Sequence, residues 1–511
     1  MRLTFLGHVG FHVETEHGSV LCDPWFTPAY FGSWFPFPRN DDLDPADFAA
    51  PDFLYVSHLH RDHFDPEFLA RHVRKDVRVL LPDFPTPFLE RELRDLGFRH
   101  FVRTRNGERH DVDGLEVAIM AMTAPADGPL GDSAIVIGDG RTRLFDQNDA
   151  RPGDPAAVHA LGPFDAHVVQ FSGAIWYPIV YDLPHPQRAR LAREKRANQM
   201  ARARRYIEWV KAPNVFPCAG PPCFLDEALF AYNDLHGDPE NIFPDQTVFL
   251  DELARAGIDT GRLVVPGSVV ELDGERCTVT HPSPDAARRP FAEKEAYLRE
   301  YQRDWAGWLA SEVASWSHGR RDLLGELAAW FEPLVARAPI TSAGIAGAVV
   351  IDVGDEAIAV DFVEGRVRPW RPGEPYVYKV DVDRRLVESL VERHVEDWVN
   401  SLFLSCRFVA HRPGPFNEYV MTFFKALSEE RIDYVEACHR EARAADEWFE
   451  RDGWRIERWC PHRQADLTRF GEIDGGVLTC SLHHWRFDLA TGRCLTSDDR
   501  RLRCERLGPP G

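Results

Sequence analysis

Phe53-Leu54-Tyr55-Val56-Ser57 runs straight into His58-Leu59-His60-Arg61-Asp62-His63. The first five residues are apolar and β-prone, the signal of a buried strand. Alternate side chains of an extended segment face the same way, so His58 and His60 can share one ion. The chain then turns toward a helix, which lets Asp62 and His63 reach a second ion. Neutral imidazoles beside a carboxylate suit zinc, iron or manganese. The competing reading is a His-rich surface turn.

The text on either side extends the argument. A strand that runs out into H-x-H-x-D-H resembles the metal loop of the metallo-β-lactamase superfamily. The opening, MRLTFLGHVGFHVETEHGSVLCDPW (1–25), reads as two strands joined by Glu16-His17-Gly18, and is similar to that superfamily's first hairpin down to its D-P-W. GDSAIVIGDGRTRLFDQNDARPGD (131–154) predicts two further strands around an Asp139-Gly140 turn. The second runs out at Asp149, where the resemblance implies a bridging metal ligand, with Asp146 as the alternative. VVPGSVVEL (264–272) is expected to close the domain with another strand pair. The implied fold over 1–285 is an αββα sandwich of α/β (α+β) class. Its metal lies under the His58–His63 loop, and Asp62 and Asp149 belong to the catalytic machinery. Two regions depart from the superfamily's hydrolases. AMTAPADGPLGD (121–132) has no histidine and offers Asp127 as its titratable candidate before Asp132. FPCAGPPCF (216–224) has none either. His110, His167 and His236 remain as ligands from elsewhere. Fewer histidines and more oxygen donors fit iron better than a hydrolytic dizinc centre.

A second metal signature lies far downstream. Cys460-Pro461-His462 is followed by Cys480-Ser481-Leu482-His483. C-x-H…C-x-x-H is the ligand set of a Rieske [2Fe–2S] cluster, in which Cys460 and Cys480 hold one iron and His462 and His483 the other. ERWCPHRQADL and CSLHHWRFDLATGRC resemble the two cluster-binding loops of Rieske domains. A structural zinc site is the alternative for the same four residues. Cys494 and Cys504 are expected to be spectators.

Composition bounds the remaining possibilities. Lys and Arg number 60 against 81 Asp and Glu, a formal charge of −21. That excess argues against nucleic-acid binding across the whole surface. Ten cysteines are scattered without a disulfide framework, which predicts reducing, cytoplasmic surroundings. No signal peptide is read at the start, and no apolar run is long enough to span a membrane. Residues 286–450 read as a middle region, helical and Trp-rich to about 335 and α+β beyond. Residues 451–511 read as a small all-β Rieske domain. Residues 186–210 predict a basic helix carrying Arg188, Arg190, Arg193, Lys195, Arg196, Arg202, Arg204 and Arg205. It is either a solvated face, a clamp for an anionic substrate or a dock for an acidic electron donor. Glu436-x-x-His439 is one half of a di-iron helical motif without its second half, which favours a structural histidine. Cys218 and Cys223 flank a rigid Gly-Pro-Pro turn, expected to wall the active-site cleft.

Taken together, HLHRDH, QNDARPG, FSGAIWYP and FPCAGPPCF with AYNDLHGDPENIFPD resemble CMP-N-acetylneuraminate hydroxylase and its bacterial relatives, which pair the same two modules. Here the Rieske module comes last rather than first, so the resemblance carries the chemistry further than the substrate. It implies an O2-dependent oxygenase that hydroxylates or N-oxidises a small molecule, with an anionic one among the candidates. Iron, mononuclear or dinuclear, would sit in the metallo-β-lactamase-like site, with zinc as the alternative metal. Electrons would arrive through the cluster from an NAD(P)H-dependent reductase or a ferredoxin. The two centres would then need to lie within electron-transfer reach, in one chain or across a homo-oligomer. A hydrolase with a regulatory Rieske domain and a non-enzymatic electron carrier or redox sensor are the alternatives.

Overall fold

Phe53 and Tyr55 turn to one side of their strand and Leu54 and Val56 to the other, and each pair is buried in a different core. A strand apolar on both faces must lie between two layers. The computed structural model describes residues 1–122, 130–173, 175–235, 241–274, 276–317, 320–444, 447–462, 464–482, 484–496 and 500–507. The chain divides into two units, Met1–Thr123, Leu130–Ile175 and Ala189–Ser311 in the first, and Trp176–Arg188 with Glu312–Gly511 in the second.

The first unit holds two sheets. One contains β1 (Arg2–Gly7), β2 (Gly10–Thr15), β3 (Gly18–Cys22), β4 (Phe53–Tyr55), β5 (Arg78–Leu81) and β6 (His100–Arg103). The other contains β7 (Arg109–Val112), β8 (Leu115–Met122), β9 (Asp132–Gly138), β10 (Arg143–Asn148), β11 (Ala166–Gln170) and β12 (Asn214–Cys218). The segment 264–272, expected to supply a closing strand pair, supplies one strand, β13 (Val269–Asp273); its partner β14 (Arg276–Thr280) lies beyond it, giving the order β14-β13-β1-β2-β3-β4-β5-β6. The second sheet runs β12-β11-β10-β9-β8-β7. Leu3, Phe11, Phe53 and Tyr55 from one sheet meet Val117, Ile135, Ile137 and Val168 from the other. Each such side chain contributes roughly 1.5–3 kcal/mol by leaving water. Outside the first sheet, Leu54 and Val56 pack on Phe68 and Leu69 of α1 (Pro66–Arg71) and Leu89 and Leu93 of α2 (Phe88–Asp95). Outside the second, Val136 and Phe145 meet Val158 and Leu161 of α3 (Pro155–Leu161). Val169 and Val215 meet Ala203 and Ile207 of α4 (His185–Val210), and Phe249 and Leu253 of α5 (Gln246–Arg255). The result is the αββα sandwich of the metallo-β-lactamase fold. The Trp-rich helix Lys294–Ser315 packs Leu298 and Tyr301 against Phe35 and Cys223 of this same unit.

In the second unit, β15 (Ala348–Asp352), β16 (Ala357–Asp361), β17 (Arg366–Pro369), β18 (Tyr378–Val382) and β19 (Phe408–His411) form a sheet in the order β17-β16-β15-β18-β19. Phe331, Trp398, Phe423 and Phe424 build an aromatic core beside it. The expected Glu436-x-x-His439 pair is structural. Glu436 accepts from Ile340 N, Thr341 N and Thr341 Oγ1 at 2.7–3.0 Å, satisfying the first turn of the helix Pro339–Ile345. Residues beyond 447 form two three-stranded antiparallel sheets around Ile456, Cys460, Leu478, Cys480 and Phe487. Among the described residues, no helix is long and apolar enough to cross a membrane.

Candidate metal centre and cluster loops

Four chain segments of the first unit converge on one buried point. The turn between β1 and β2 carries His8, in a left-handed conformation at φ +54°. The end of β3 carries Asp23 at φ +39°. The loop after β4 carries His58 to His63, closed by His63 N and Phe64 N donating to His60 O at 3.0 and 2.7 Å. The end of β10 carries Asp149, preceded by Asn148 at φ +40°. Backbone held in such sparsely populated regions clusters at functional sites.

Two groups of donors result, each with ligand atoms within 4.8 Å of one another: His8, Asp62 and His63, and His58, His63 and Asp149. His63 belongs to both. Its Nδ1 lies 2.8 Å from Asp23 Oδ2, which leaves Nε2 facing Asp149 Oδ1 at 3.7 Å and Asp62 Oδ2 at 3.9 Å. Asp23 also accepts from Ser57 N at 2.7 Å and Ser57 Oγ at 2.6 Å, and Ser57 Oγ lies 2.9 Å from His58 Nδ1. A carboxylate on the rear nitrogen fixes a ligand histidine's tautomer and orientation. Asp62 is held by His8 Nε2 at 3.1 Å and by the Tyr30 hydroxyl at 2.6 Å. His60 stands at the side, its ring edge-on to His58 at 4.3 Å between centroids, and is in neither group.

The electrostatics fit a cation. His58 Nε2, His63 Nε2 and Asp149 Oδ1 are buried with no hydrogen-bond partner among the described residues. Orphaned polar atoms of this kind are rare in proteins, and three converging ones match an ion's donor set. Burial, with the His63 and His60 charges behind it, pushes the His58 imidazole far down. Burial opposes charge on His63 as well, but Asp149 and the Asp23 hydrogen bond outweigh it and raise that imidazole to about 10. For Asp62, burial is likewise outweighed by His8 and His63, which hold the carboxyl well below the usual range. Burial raises Asp149. Imidazole and carboxylate donors suit zinc, iron or manganese.

The other sequence candidates lie elsewhere or outside view. Asp127, His236 and His483 fall outside the described residues. His167 is walled into the second sheet, stacked on Phe145 at 5.3 Å with Nε2 on Gln147 Oε1 at 2.9 Å. His110 Nε2 accepts from Arg105 N at 2.9 Å. Asp146 is fully buried beneath the site, and burial pushes its carboxyl well up. Cys218 and Cys223 are separate buried thiols. His8, Asp23 and Tyr30 were not read as site residues. The D-P-W text pointed at Asp23, but the turn that aims His8 has no sequence signal.

In the cluster loops, Cys460 and Cys480 are both fully buried. Burial first, then the Cys480 thiol beside it, raises the Cys460 thiol. Cys460 N donates to Ala465 O and His484 N to Cys480 O, each at 2.8 Å. The His462 ring stacks on Trp485 at 4.1 Å. Cys494 is packed in this domain's core, and Cys504 Sγ donates to Leu489 O at 3.1 Å.

Residues 323–441 match the family profile described as "Rv3818-like, SCP2-like domain", and residues 452–504 match the Rieske [2Fe-2S] domain. A Mycobacterium tuberculosis chain named as Rieske 2Fe-2S iron-sulfur protein Rv3818 is 45% identical over 515 residues, covering 99% of this chain and 100% of its own. Igni18, a metallo hydrolase from Ignicoccus hospitalis, is similar at 16% identity with a TM-score of 0.36, covering 55% of this chain and 99% of its own. CmlA, a diiron β-hydroxylase from Streptomyces venezuelae, is similar at 17% identity with a TM-score of 0.35, covering 55% of this chain and 54% of its own.

Proposed function

The chain belongs to the family of Rv3818-like Rieske 2Fe-2S proteins, and on that premise we propose that it is an oxidoreductase, a Rieske-dependent oxygenase that hydroxylates or N-oxidises a small molecule. One observation carries the reading: a one-electron module and a buried, unsatisfied His/Asp donor set lie in the same polypeptide. Iron held by His8, His58, Asp62, His63 and Asp149 would activate O2, and a cluster held by Cys460, His462, Cys480 and His483 would supply electrons singly. Substrate, O2, two electrons and two protons then balance one oxygenated product and one water.

The protein's own residues do the positioning. Asp23 and Ser57 hold the rear nitrogens of His63 and His58. Tyr30 and His8 pin Asp62 from opposite sides. Trp25, itself buried, packs edge-on against the His8 ring at 5.1 Å between centroids. The electrons come from an external reductase or ferredoxin.

The test pairs metal analysis with two variants. The purified protein should contain iron and sulfide and give a rhombic Rieske EPR signal when reduced. Cys480→Ser should lose that signal and all product while keeping the first unit's metal. His58→Ala should lose metal and product while keeping the signal. With 18O2 the wild-type product should carry the label. Label arriving from water instead, with activity surviving Cys480→Ser, would replace the oxygenase by a hydrolase.

A further inference from the structure

Beside Asp149, the first unit buries positive charge that the rest of the unit does not neutralise. Arg202, from the inner face of α4, is 6% exposed. Its Nη2 donates to Gln170 Oε1 at 3.0 Å, a neutral partner. Among the described residues no carboxylate lies within ion-pair distance of Arg202. Arg151, two residues past Asp149, is half-buried, makes no ion pair among the described residues, and its Nε is buried without a partner. Each guanidinium feels the other's charge or that of Asp149. The adjoining strand end supplies further polar groups. Gln199 Nε2 donates to Gly173 O at 2.7 Å, and the Ser172 hydroxyl is fully buried with no partner. A side chain at Gly173 would meet Gln199 Nε2 at 2.9 Å and approach Arg202 Nη2 at 3.8 Å. The basic helix is otherwise ordinary: Arg190 pairs with Glu194, and Arg196 with Asp234.

Taking a guanidinium out of water without a close counter-charge is strongly unfavourable. One buried and one half-buried guanidinium near a single carboxylate make sense as half of a salt bridge whose other half arrives with a ligand. We propose that Arg151 and Arg202 form an oxyanion subsite of the metal centre, so that the substrate is a small acid held by its carboxylate or phosphate group. Guanidinium forks match either oxyanion through paired N–H donors. The subsite anchors the substrate by its charged end while the rest of the molecule faces the His/Asp donors.

The inference rests on reading that centre as the seat of small-molecule chemistry, but its test is an equilibrium measurement on resting protein, without O2 or reductant. Loss of the oxygenase reading would leave the result standing. Inorganic phosphate and, separately, acetate are titrated into the full chain while its melting temperature is followed at constant ionic strength. At least one of them should raise the wild-type midpoint saturably. Arg202→Met and Arg151→Gln should each weaken that anion by at least about tenfold, the loss of one charged pair. If Arg202→Met does not fold, Arg151→Gln at the half-buried rim decides alone. An equal response in wild type and variants would place the anion elsewhere, on the metal or the surface, and overturn the assignment. So would a wild type that responds to neither anion.

Discussion

His63 offers Nε2 to both donor groups, and what aims it is Asp23 on its other nitrogen. Asp23→Asn keeps the shape of that contact and removes its charge. Metal affinity should fall by about 10- to 100-fold, read as metal retained after dialysis against a graded chelator. Retention equal to wild type would mean that the aspartate does not set the ligand's orientation. His167 gives a second test. Burial pushes its imidazole from 6.5 down to about 3, so the unfolded chain takes up a proton near pH 6.5 that the folded chain refuses. Stability from this residue is therefore whole above about pH 6.5 and declines as the pH falls toward 3, by up to roughly 1.4 kcal/mol per unit. His167→Gln should flatten the slope of unfolding free energy against pH over that window; denaturant titrations that keep the full slope would sink the attribution. At this scale the sequence was a partial guide. His58, Asp62, His63 and Asp149 are brought together, because a strand end followed by H-x-H-x-D-H leaves few alternatives. His8 could not be read, since its role depends on one φ angle in a short turn.

The element that secures the metal loop is α1. Asp65 caps it by accepting Phe68 N at 2.9 Å, and also accepts Phe26 N at 2.9 Å and Thr27 N at 2.7 Å. One carboxylate thus ties the loop after β3 to the helix after His63. Asp65→Ala should cost about 1 kcal/mol for the cap alone, and more for the two further, partly buried N–H groups left without their acceptor. The urea midpoint should drop accordingly. A drop no larger than that of an exposed cap would show that the other two N–H groups find water. The strand before the loop was legible because Phe53 to Val56 form an unbroken apolar run, which a strand buried on both faces requires. Helix α4 was legible as a helix but not in its role. Its arginines look alike in sequence, and only packing separates paired Arg190 and Arg196 from Arg202.

For the whole molecule, the sandwich core around Leu3, Phe53 and Ile135 and the Rieske core around Ile456, Leu478 and Phe487 share no residue. Calorimetry should therefore resolve more than one unfolding transition. Chelation should lower one of them and destruction of the cluster another; a single transition moved equally by both would contradict this. The modules at either end were legible from their ligand spacings. The SCP2-like region between them was read only as helices and strands, because it carries a packing pattern and no reactive motif. One pairing has a consequence for how the chain is made. β1 is interior to its sheet, with Arg2 opposite Glu271 on β13. On the ribosome, that side of β1 must wait for roughly 270 further residues, which at about 5–20 residues per second is tens of seconds. Through that interval a strand carrying Leu3 and Phe5 presents an open ladder to any neighbouring nascent chain. Fragments that stop between Asp149 and Val269 hold every donor of the metal centre yet keep that ladder open. They should precipitate, whereas fragments extended past Thr280 should stay in solution.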